Sequence, residues 1–175
     1  ETIMYQKLTI KAIKELAAPQ TWPASILPIL LAGACSFTLY RRVSWGIFFL
    51  LLGISILLQS AVNTFNDYYD FIRGNDTEDN FFDKNDASII YNHLNPKTAL
   101  LVGSVFLGLA LFGGLYLVIH CGWPLFWLGL VGAIVICLYS AGPLPTSYLP
   151  IGEFISGFMM GGLLPLAAIF VLSNQ

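Results

Sequence analysis

Carboxylate and amide side chains are concentrated in one stretch of the sequence. Seven of the ten acidic residues lie within twenty positions of one another: Asp67, Asp70, Asp76, Glu78, Asp79, Asp83 and Asp86. The first of them come at the end of an apolar segment that also contains asparagines. If a helix continues through this point, spacings of three, four and seven place four polar residues on one face: Asn63, Asn66, Asp67 and Asp70. Carboxylates packed together without a positive charge repel one another and lose hydration, so we expect a cation among them.

The candidate ligands in this stretch are all oxygen atoms, which favours a hard cation such as Mg²⁺ over zinc or copper. Mg²⁺ keeps several waters in proteins and is usually bound by a few carboxylates together with the phosphate oxygens of a substrate. Because the acidic stretch follows an apolar segment, the pattern favours a lipid phosphate or diphosphate at a membrane surface. Arg73 could contact the same phosphate directly. The alternative interpretation is a solvated acidic loop that only caps a helix.

The composition indicates which elements hold these residues in place. The 175-residue chain is 57% hydrophobic and 10% charged, with a mean hydropathy of +0.74, whereas soluble domains carry roughly 25% charged residues. Five stretches have the length and composition of bilayer-spanning helices, at residues 22–40, 43–65, 99–119, 123–139 and 151–171. The sequence therefore predicts an all-α integral membrane protein, with one membrane domain over residues 1–175.

Other classes of protein are disfavoured by the same numbers. The net charge is −2 and no basic run is present, so we expect no nucleic-acid partner. The three cysteines lie in apolar surroundings without the spacing of a metal site, and we interpret them as small buried side chains.

The N-terminal segment is predicted to be a helix outside the bilayer core. Residues 5–17 place Ile10, Ile13, Leu16 and Ala17 opposite three lysines, a pattern typical of an interfacial helix on an anionic membrane surface. A short solvated helix leading into the first span is the alternative. Six of the eight basic residues fall on the side of this segment and of the acidic stretch. By the positive-inside rule that side is cytoplasmic, and we expect a multi-pass protein of the cell membrane.

The acidic stretch resembles a known family. The pattern Asn66-x-x-x-Asp70-x-x-Arg73-Gly74-x-Asp76 is similar to the first aspartate-rich motif of the UbiA superfamily of intramembrane prenyltransferases. The basic residue and glycine before the last aspartate resemble the quinone branch, which prenylates 1,4-dihydroxy-2-naphthoate for menaquinone. Residues 139–145 (Tyr-Ser-Ala-Gly-Pro-Leu-Pro) and 151–153 (Ile-Gly-Glu) are similar to a second stretch of that branch, between its fourth and fifth helices.

The resemblance implies a UbiA-type helical bundle around a cavity open to the cytoplasm and to lipid. In that family Mg²⁺ holds the diphosphate of a polyprenyl donor, and an aromatic quinone precursor attacks the allylic carbocation left when the diphosphate departs. By motif position, it implies that Asn66, Asp70 and Asp76 bind Mg²⁺ and diphosphate and that Asp67 assists. It also implies that Arg73 contacts the diphosphate.

Four further residues complete the predicted site. Asn63 shares the polar face and is assigned to substrate binding. Tyr68 and Tyr139 are candidates for an aromatic wall beside the cation, although aromatic residues in membrane helices more often pack or anchor at the interface. Glu153 is expected to orient the acceptor or take its proton, or else to favour a helix start through the helix dipole.

The predicted spans account for only part of a family member. Relatives are longer, and their second aspartate-rich motif follows a sixth helix, whereas this sequence ends after five predicted spans. The second motif is therefore missing from this sequence, and three explanations stay open: the chain is a fragment that lacks its C-terminal half, the second half is a separate chain, or this is a degenerate half-protein.

Two other functions stay open at the level of sequence. One is prenylation of a different aromatic acceptor, and the other is a non-enzymatic cation transporter or membrane scaffold. Transporter sites usually lie near the middle of the bilayer on broken helices. The acidic residues here lie at one membrane face, which favours the enzyme.

Overall fold

The computed structural model describes residues 5–75, 87–140 and 149–173. Within these ranges the chain is helical, and its extended pairing is limited to an isolated bridge between Gln6 and Leu94. The α-helices are α1 (Ile10–Ala17), α2 (Pro23–Tyr40), α3 (Trp45–Arg73), α4 (Ser88–Tyr91), α5 (Pro96–Cys121), α6 (Trp123–Ser140), α7 (Gly152–Phe158) and α8 (Leu164–Ser173). A 3₁₀ turn (Pro19–Thr21) precedes α2, and a π-helical turn (Met159–Leu163) joins α7 to α8. The all-α prediction is confirmed.

Four helical segments are long and apolar enough to cross a bilayer: Pro23–Tyr40, Trp45–Arg73, Pro96–Cys121 and Gly152–Ser173. The apolar helix Trp123–Tyr139 is shorter, at about 26 Å from its rise per residue, which is close to the lower limit for a span. Large apolar side chains face outward on several helices; Phe112 is 78% and Phe154 79% exposed. Helices that are apolar on all sides are typical of a membrane environment, and the chain is a multi-pass membrane protein.

The central contact of the bundle is between α3 and α5, which pack along much of their length. Two glycines of α5 permit this approach. A Cβ atom at Gly103 would lie 2.9 Å from Cε1 of Phe65, and one at Gly113 would lie 2.9 Å from Cγ1 of Ile54. Small residues at helix contacts let membrane helices come close enough for their side chains to interlock.

Two apolar cores stabilise the bundle. The first lies between α2, α3, α5 and α8 and includes Ile29, Leu51, Leu117 and Val171. The second lies among α1, α4 and the first turns of α5, where Leu16, Ile89, Leu94, Ala99 and Val102 are buried. Tyr68 and Phe71 of α3 pack against this second core. The end of α3 is therefore held by apolar contacts on the side away from solvent.

The N-terminal helix α1 forms within the predicted segment but begins at Ile10 rather than at residue 5, and much of its apolar face is covered by protein. Thr9 caps it, since the Thr9 hydroxyl accepts a hydrogen bond from the Ala12 amide at 3.1 Å. Ala12, Leu16 and Ala17 are buried, whereas Ile10 is 87% exposed. Lys7, Lys11 and Lys14 are also exposed. The exposed side of α1 is thus basic with one apolar residue, and its buried side belongs to the bundle.

The last span is interrupted by a π-helical turn just before Pro165. Proline has no amide hydrogen and cannot complete the regular helical pattern one turn earlier. The Leu164 amide instead donates to the Met159 carbonyl five residues before it, the pattern of a π-turn. The helix resumes as α8 and buries Ala168, Val171 and Leu172 in the first core.

Candidate functional site

The site begins where α3 extends past its apolar part. The helix has 29 residues, so it is about 43 Å long, whereas the hydrocarbon core of a bilayer is about 30 Å thick. Its final turns carry Asn63, Asn66, Asp67, Asp70 and Arg73. The condition set by the sequence, that the helix continues past its apolar part to Asp70, is met. These residues lie at the same end of the bundle as the start of α5.

The end of α3 is set by Gly74. This glycine has φ of 71°, in the left-handed region, and its amide donates to the Phe71 carbonyl at 3.1 Å. The Asn75 amide donates to the Asp70 carbonyl at 3.0 Å, which completes a Schellman-type helix end. Glycine adopts this conformation without the strain that a Cβ atom brings. The glycine of the motif therefore turns the chain sharply after Arg73.

Asp70 and Arg73 are one helical turn apart. Asp70 is partly buried, and its Oδ1 accepts a hydrogen bond from Asn75 Nδ2 at 3.3 Å. The Arg73 guanidinium lies over the Tyr69 ring, 5.2 Å from its centre, within the range of a cation–π interaction. Tyr69 in turn meets Tyr68 edge to face at 5.4 Å between ring centres. The helix end thus presents a carboxylate and a guanidinium backed by aromatic rings.

Asn66 lies one turn before Asp70 on the same face. It is partly buried, and its side chain makes no hydrogen bond within the described parts of the chain. An amide with neither donor nor acceptor engaged is able to bind a ligand without breaking an existing contact. Among the described residues of the motif, Asn66 and Asp70 therefore lie on one helix face with side-chain oxygen atoms of the kind that bind a hard cation.

Asp67 has a different environment. Its side chain is 6% exposed, and Oδ2 accepts a hydrogen bond from the Ser88 amide at 3.2 Å. Ser88 begins α4 and is itself fully buried. The structure thus places one oxygen of Asp67 against the main chain of another segment.

Asn63 is directed toward the junction between α1 and α2. Its Nδ2 donates to the Ala17 carbonyl at 3.0 Å and to Thr21 Oγ1 at 2.7 Å. Its Oδ1 accepts from Gln59 Nε2 at 3.3 Å. The sequence placed Asn63 with the substrate-binding residues, and the structure does not bring its amide to Asn66 or Asp70.

Asn63 is part of a polar cluster that the sequence did not single out. Thr64 Oγ1 donates to the Leu16 carbonyl at 3.1 Å, and Trp22 Nε1 donates to Ser60 Oγ at 3.1 Å. Trp22 Nε1 also donates to the Ala17 carbonyl at 3.3 Å, and the bonds from Asn63, Thr64 and Trp22 together satisfy the free carbonyls at the end of α1. A sequence signal was available, because polar residues recur at helical spacing within an apolar span: Gln59, Ser60, Asn63, Thr64 and Asp67.

The remaining predicted residues lie on other elements. Tyr68 is partly buried against the second core. Tyr139 is partly buried near the end of α6, and Glu153 is exposed in the first turn of α7. Neither Tyr139 nor Glu153 makes a hydrogen bond within the described ranges. Asp76 and residues 141–148 of the second motif lie outside the described residues.

The donor atoms suit a hard divalent cation. Among the described residues, no group of three histidine, cysteine, aspartate or glutamate side chains is placed to hold a metal ion. Asn66 and Asp70 nevertheless offer an amide oxygen and a carboxylate on one helix face. Mg²⁺ needs few protein ligands when phosphate oxygens and water complete its shell. The described residues therefore fit a metal that is bound jointly with a phosphate-bearing substrate.

Comparison with known proteins identifies the class of this membrane bundle. Residues 25–175 match the UbiA prenyltransferase family. The chain belongs to that family, and the resemblance seen in its aspartate-rich motif is confirmed. No solved structure gives a significant match.

Two curated relatives narrow the comparison. A 1,4-dihydroxy-2-naphthoate octaprenyltransferase of Bacillus subtilis (strain 168) is 35% identical over 161 residues, which is 92% of this chain and 51% of the relative. A protein of the same name from Mycobacterium tuberculosis (strain ATCC 25618 / H37Rv) is 32% identical over 141 residues, 78% of this chain and 46% of the relative. The chain spans about half the length of the curated relatives it matches.

Proposed function

We propose that the protein to which this chain belongs transfers a polyprenyl group from its diphosphate to an aromatic quinone precursor. The acceptor we propose is 1,4-dihydroxy-2-naphthoate, which places the reaction in menaquinone biosynthesis. One observation supports this most strongly: Asn66, Asp70 and Arg73 occupy successive turns at the end of a membrane helix, the level at which we expect the diphosphate headgroup of a lipid substrate. Both curated relatives described above have names that specify this acceptor.

The chain's own residues have distinct roles in this proposal. Asn66 and Asp70 supply oxygen ligands from one face of α3, and Asp76 is the third ligand by its motif position. Arg73 donates to the diphosphate oxygens; its stacking on Tyr69 at 5.2 Å limits the conformations of the guanidinium. Mg²⁺ bound at these residues supplies neutralisation of the charge that develops on the leaving diphosphate.

The aromatic residues at the helix end are assigned to the prenyl side of the site. Tyr68 and Tyr69 lie edge to face next to the acidic turn, and the faces of such rings stabilise a nearby cation. Tyr139 contributes a further ring from α6. Glu153, exposed at the start of α7, is proposed to orient the acceptor hydroxyl or to take its proton.

The site is proposed to face the cytoplasm from the cell membrane. Exposed lysines of α1 and the exposed Lys97 of α5 lie at the same end of the bundle as Arg73. Arg41 and Arg42 follow α2 at the other end. This distribution supports a cytoplasmic location for the acidic end by the positive-inside rule.

The proposal is tested by diphosphate release from a polyprenyl diphosphate in the presence of 1,4-dihydroxy-2-naphthoate. We expect release that requires Mg²⁺ and is abolished by a chelator. Asp70→Asn keeps the size of the side chain but removes its charge, and we expect a loss of at least about 100-fold. Lys97→Gln, a charge change on an exposed residue of the same end, is the matched control.

Two outcomes would overturn parts of the proposal, and a third would overturn the proposal as a whole. Unchanged turnover in Asp70→Asn, with Lys97→Gln also active, removes the assigned metal site. Release that proceeds with 4-hydroxybenzoate but not with the naphthoate changes the acceptor and leaves the reaction class in place. The third outcome is a protein that shows a thermal transition, and is therefore folded, but releases no diphosphate with or without Mg²⁺. This outcome contradicts prenyl transfer itself.

A further inference from the structure

Two carboxylates of α3 accept hydrogen bonds from the described residues on either side of positions 76–86. The chain leaves α3 at Gly74 and Asn75, and Asn75 donates to Asp70 Oδ1 at 3.3 Å. After residues 76–86 the described chain resumes at Ala87, and the Ser88 amide donates to Asp67 Oδ2 at 3.2 Å. Asp67 and Asp70 are three residues apart on a helix, so their side chains are neighbours. Asn75, just before residues 76–86, and Ser88, just after them, therefore both contact the same turn of α3.

The contact at Asp67 is buried, unlike the contact at Asp70. The Asp67 side chain is 6% exposed, and Ser88 is fully buried next to Ile89 of the second core. A buried carboxylate without hydrogen bonds is strongly unfavourable, and a main-chain amide at a helix start is a suitable donor because it has no partner within its own helix. Asp67 thus provides an acceptor for the Ser88 amide, the first amide of α4, and this amide provides a donor for one oxygen of the buried carboxylate.

We propose that Asp67 is a positioning residue that anchors the returning end of the acidic stretch beside Asn66 and Asp70. The role is geometric: the contact of Asp67 with Ser88 determines where the described chain rejoins the bundle after residues 76–86. The anchor itself is a contact between Asp67 and the Ser88 main chain and does not depend on the proposed function. Only the expected effect of the anchor on Mg²⁺-dependent turnover rests on the proposed function.

The proposal separates Asp67 from the metal ligands by a chemical criterion. Accepting a hydrogen bond from an amide requires an oxygen atom, which asparagine retains. Supplying negative charge to Mg²⁺ requires a carboxylate, which asparagine lacks. Asp67→Asn should therefore preserve most of the anchor, Asp67→Ala should remove it, and Asp70→Asn should remove charge from the metal site.

The first test measures turnover of polyprenyl diphosphate as a function of Mg²⁺ concentration in the full chain. For Asp67→Ala we expect the half-saturating Mg²⁺ concentration to rise about tenfold while the rate at saturating Mg²⁺ changes little. Asp67→Asn should stay within about threefold of the unsubstituted protein in both quantities. If Asp67→Asn loses as much activity as Asp70→Asn, Asp67 acts as a charged ligand and the proposal is wrong.

The second test is independent of any catalytic activity. Hydrogen exchange of the Ser88 amide should be slow in the unsubstituted protein and in Asp67→Asn, and at least about tenfold faster in Asp67→Ala. Ser88→Ala is the matched control, because the Ser88 hydroxyl has no hydrogen-bond partner in the described structure and its loss should leave the amide protected. Equal exchange in Asp67→Ala and the unsubstituted protein overturns the anchor even if prenyl transfer is observed. An absence of prenyl transfer together with the expected exchange pattern contradicts the proposed function and supports the anchor.

Discussion

The side-chain amide of Asn63 donates to the main-chain carbonyl of Ala17 at 3.0 Å, across 46 positions of sequence. Through this bond and the bond of the Thr64 hydroxyl to the Leu16 carbonyl at 3.1 Å, α3 supplies hydrogen-bond donors to the C-terminal end of α1. The same helix carries Asn66 and Asp70 one and two turns further on. An asparagine that joins α3 to α1 and an asparagine proposed to bind the ligand thus follow each other on one helix face, and substitution should distinguish them.

Asn63→Ala should destabilise the protein. The substitution removes the hydrogen bonds to Ala17 and Thr21 and leaves a main-chain carbonyl with one fewer donor, which we expect to lower the free energy of unfolding by about 1–3 kcal/mol. The measurement is the thermal transition in detergent. Activity at a temperature well below the transition should be retained.

Asn66→Ala is the matched comparison and should behave in the opposite way. Its side chain makes no hydrogen bond within the described ranges, so its thermal transition should stay close to that of the unsubstituted protein while Mg²⁺-dependent turnover falls. A large drop in the transition of Asn66→Ala, or full activity in it, contradicts the separation of the two asparagines.

Gly103→Ala should disrupt the contact between α3 and α5. The added Cβ would lie 2.9 Å from the Phe65 ring, and we expect a loss of about 1–3 kcal/mol from overpacking. Gly108→Ala, on the same helix with nothing within 4 Å of the new atom, should be neutral or slightly stabilising. Thermal transitions of the two variants measure the difference. The double variant Gly103→Ala/Phe65→Leu should recover part of the loss, and equal transitions for Gly103→Ala and Gly108→Ala would contradict this packing.

Gly74→Val should disturb the end of α3. At φ of 71° a residue with a Cβ atom is strained by about 1–2 kcal/mol, and a β-branched one more. Gly74→Asn should be tolerated better, because asparagine adopts the left-handed conformation more readily. Turnover and the temperature of the thermal transition should both be highest with glycine at position 74, lower with asparagine and lowest with valine. Gly46→Ala near the start of the same helix, where the new atom meets open space, is the control; if Val and Asn behave alike at position 74, the helix end is not set by this conformation.

Arg73→Gln should weaken binding of the diphosphate. Loss of the charged donor is expected to raise the KM for polyprenyl diphosphate about tenfold. Arg73→Lys should fall in between, since it keeps the charge but loses the planar fork that matches phosphate and stacks on Tyr69. Steady-state kinetics at varied donor concentration measure this. An unchanged KM in Arg73→Gln would assign Arg73 to helix-end stability alone.

The helices, and the position of the acidic residues at the end of α3, could be predicted from the sequence because both depend on the order of residues along the chain. Blocks of apolar residues of about 20 positions determine spans. Four predicted spans coincide with single helices, and the fifth coincides with α7, the π-helical turn and α8. The helix boundaries differ from those of the predicted spans where helical hydrogen bonding extends beyond the apolar residues. Helix α3 continues to Arg73 after its apolar residues end, and α5 already begins at Pro96.

The roles of residues within the polar face were decided by the tertiary structure. Helical spacing places Asn63, Asn66, Asp67 and Asp70 on one face, but it contains no information about what lies opposite each of them. Asn63 meets the end of α1 and Asp67 meets the start of α4, and both contacts join segments that are distant in sequence. Hydrogen bonds are short and directional, so only the packed arrangement of the helices determines which oxygen atoms remain available to a ligand.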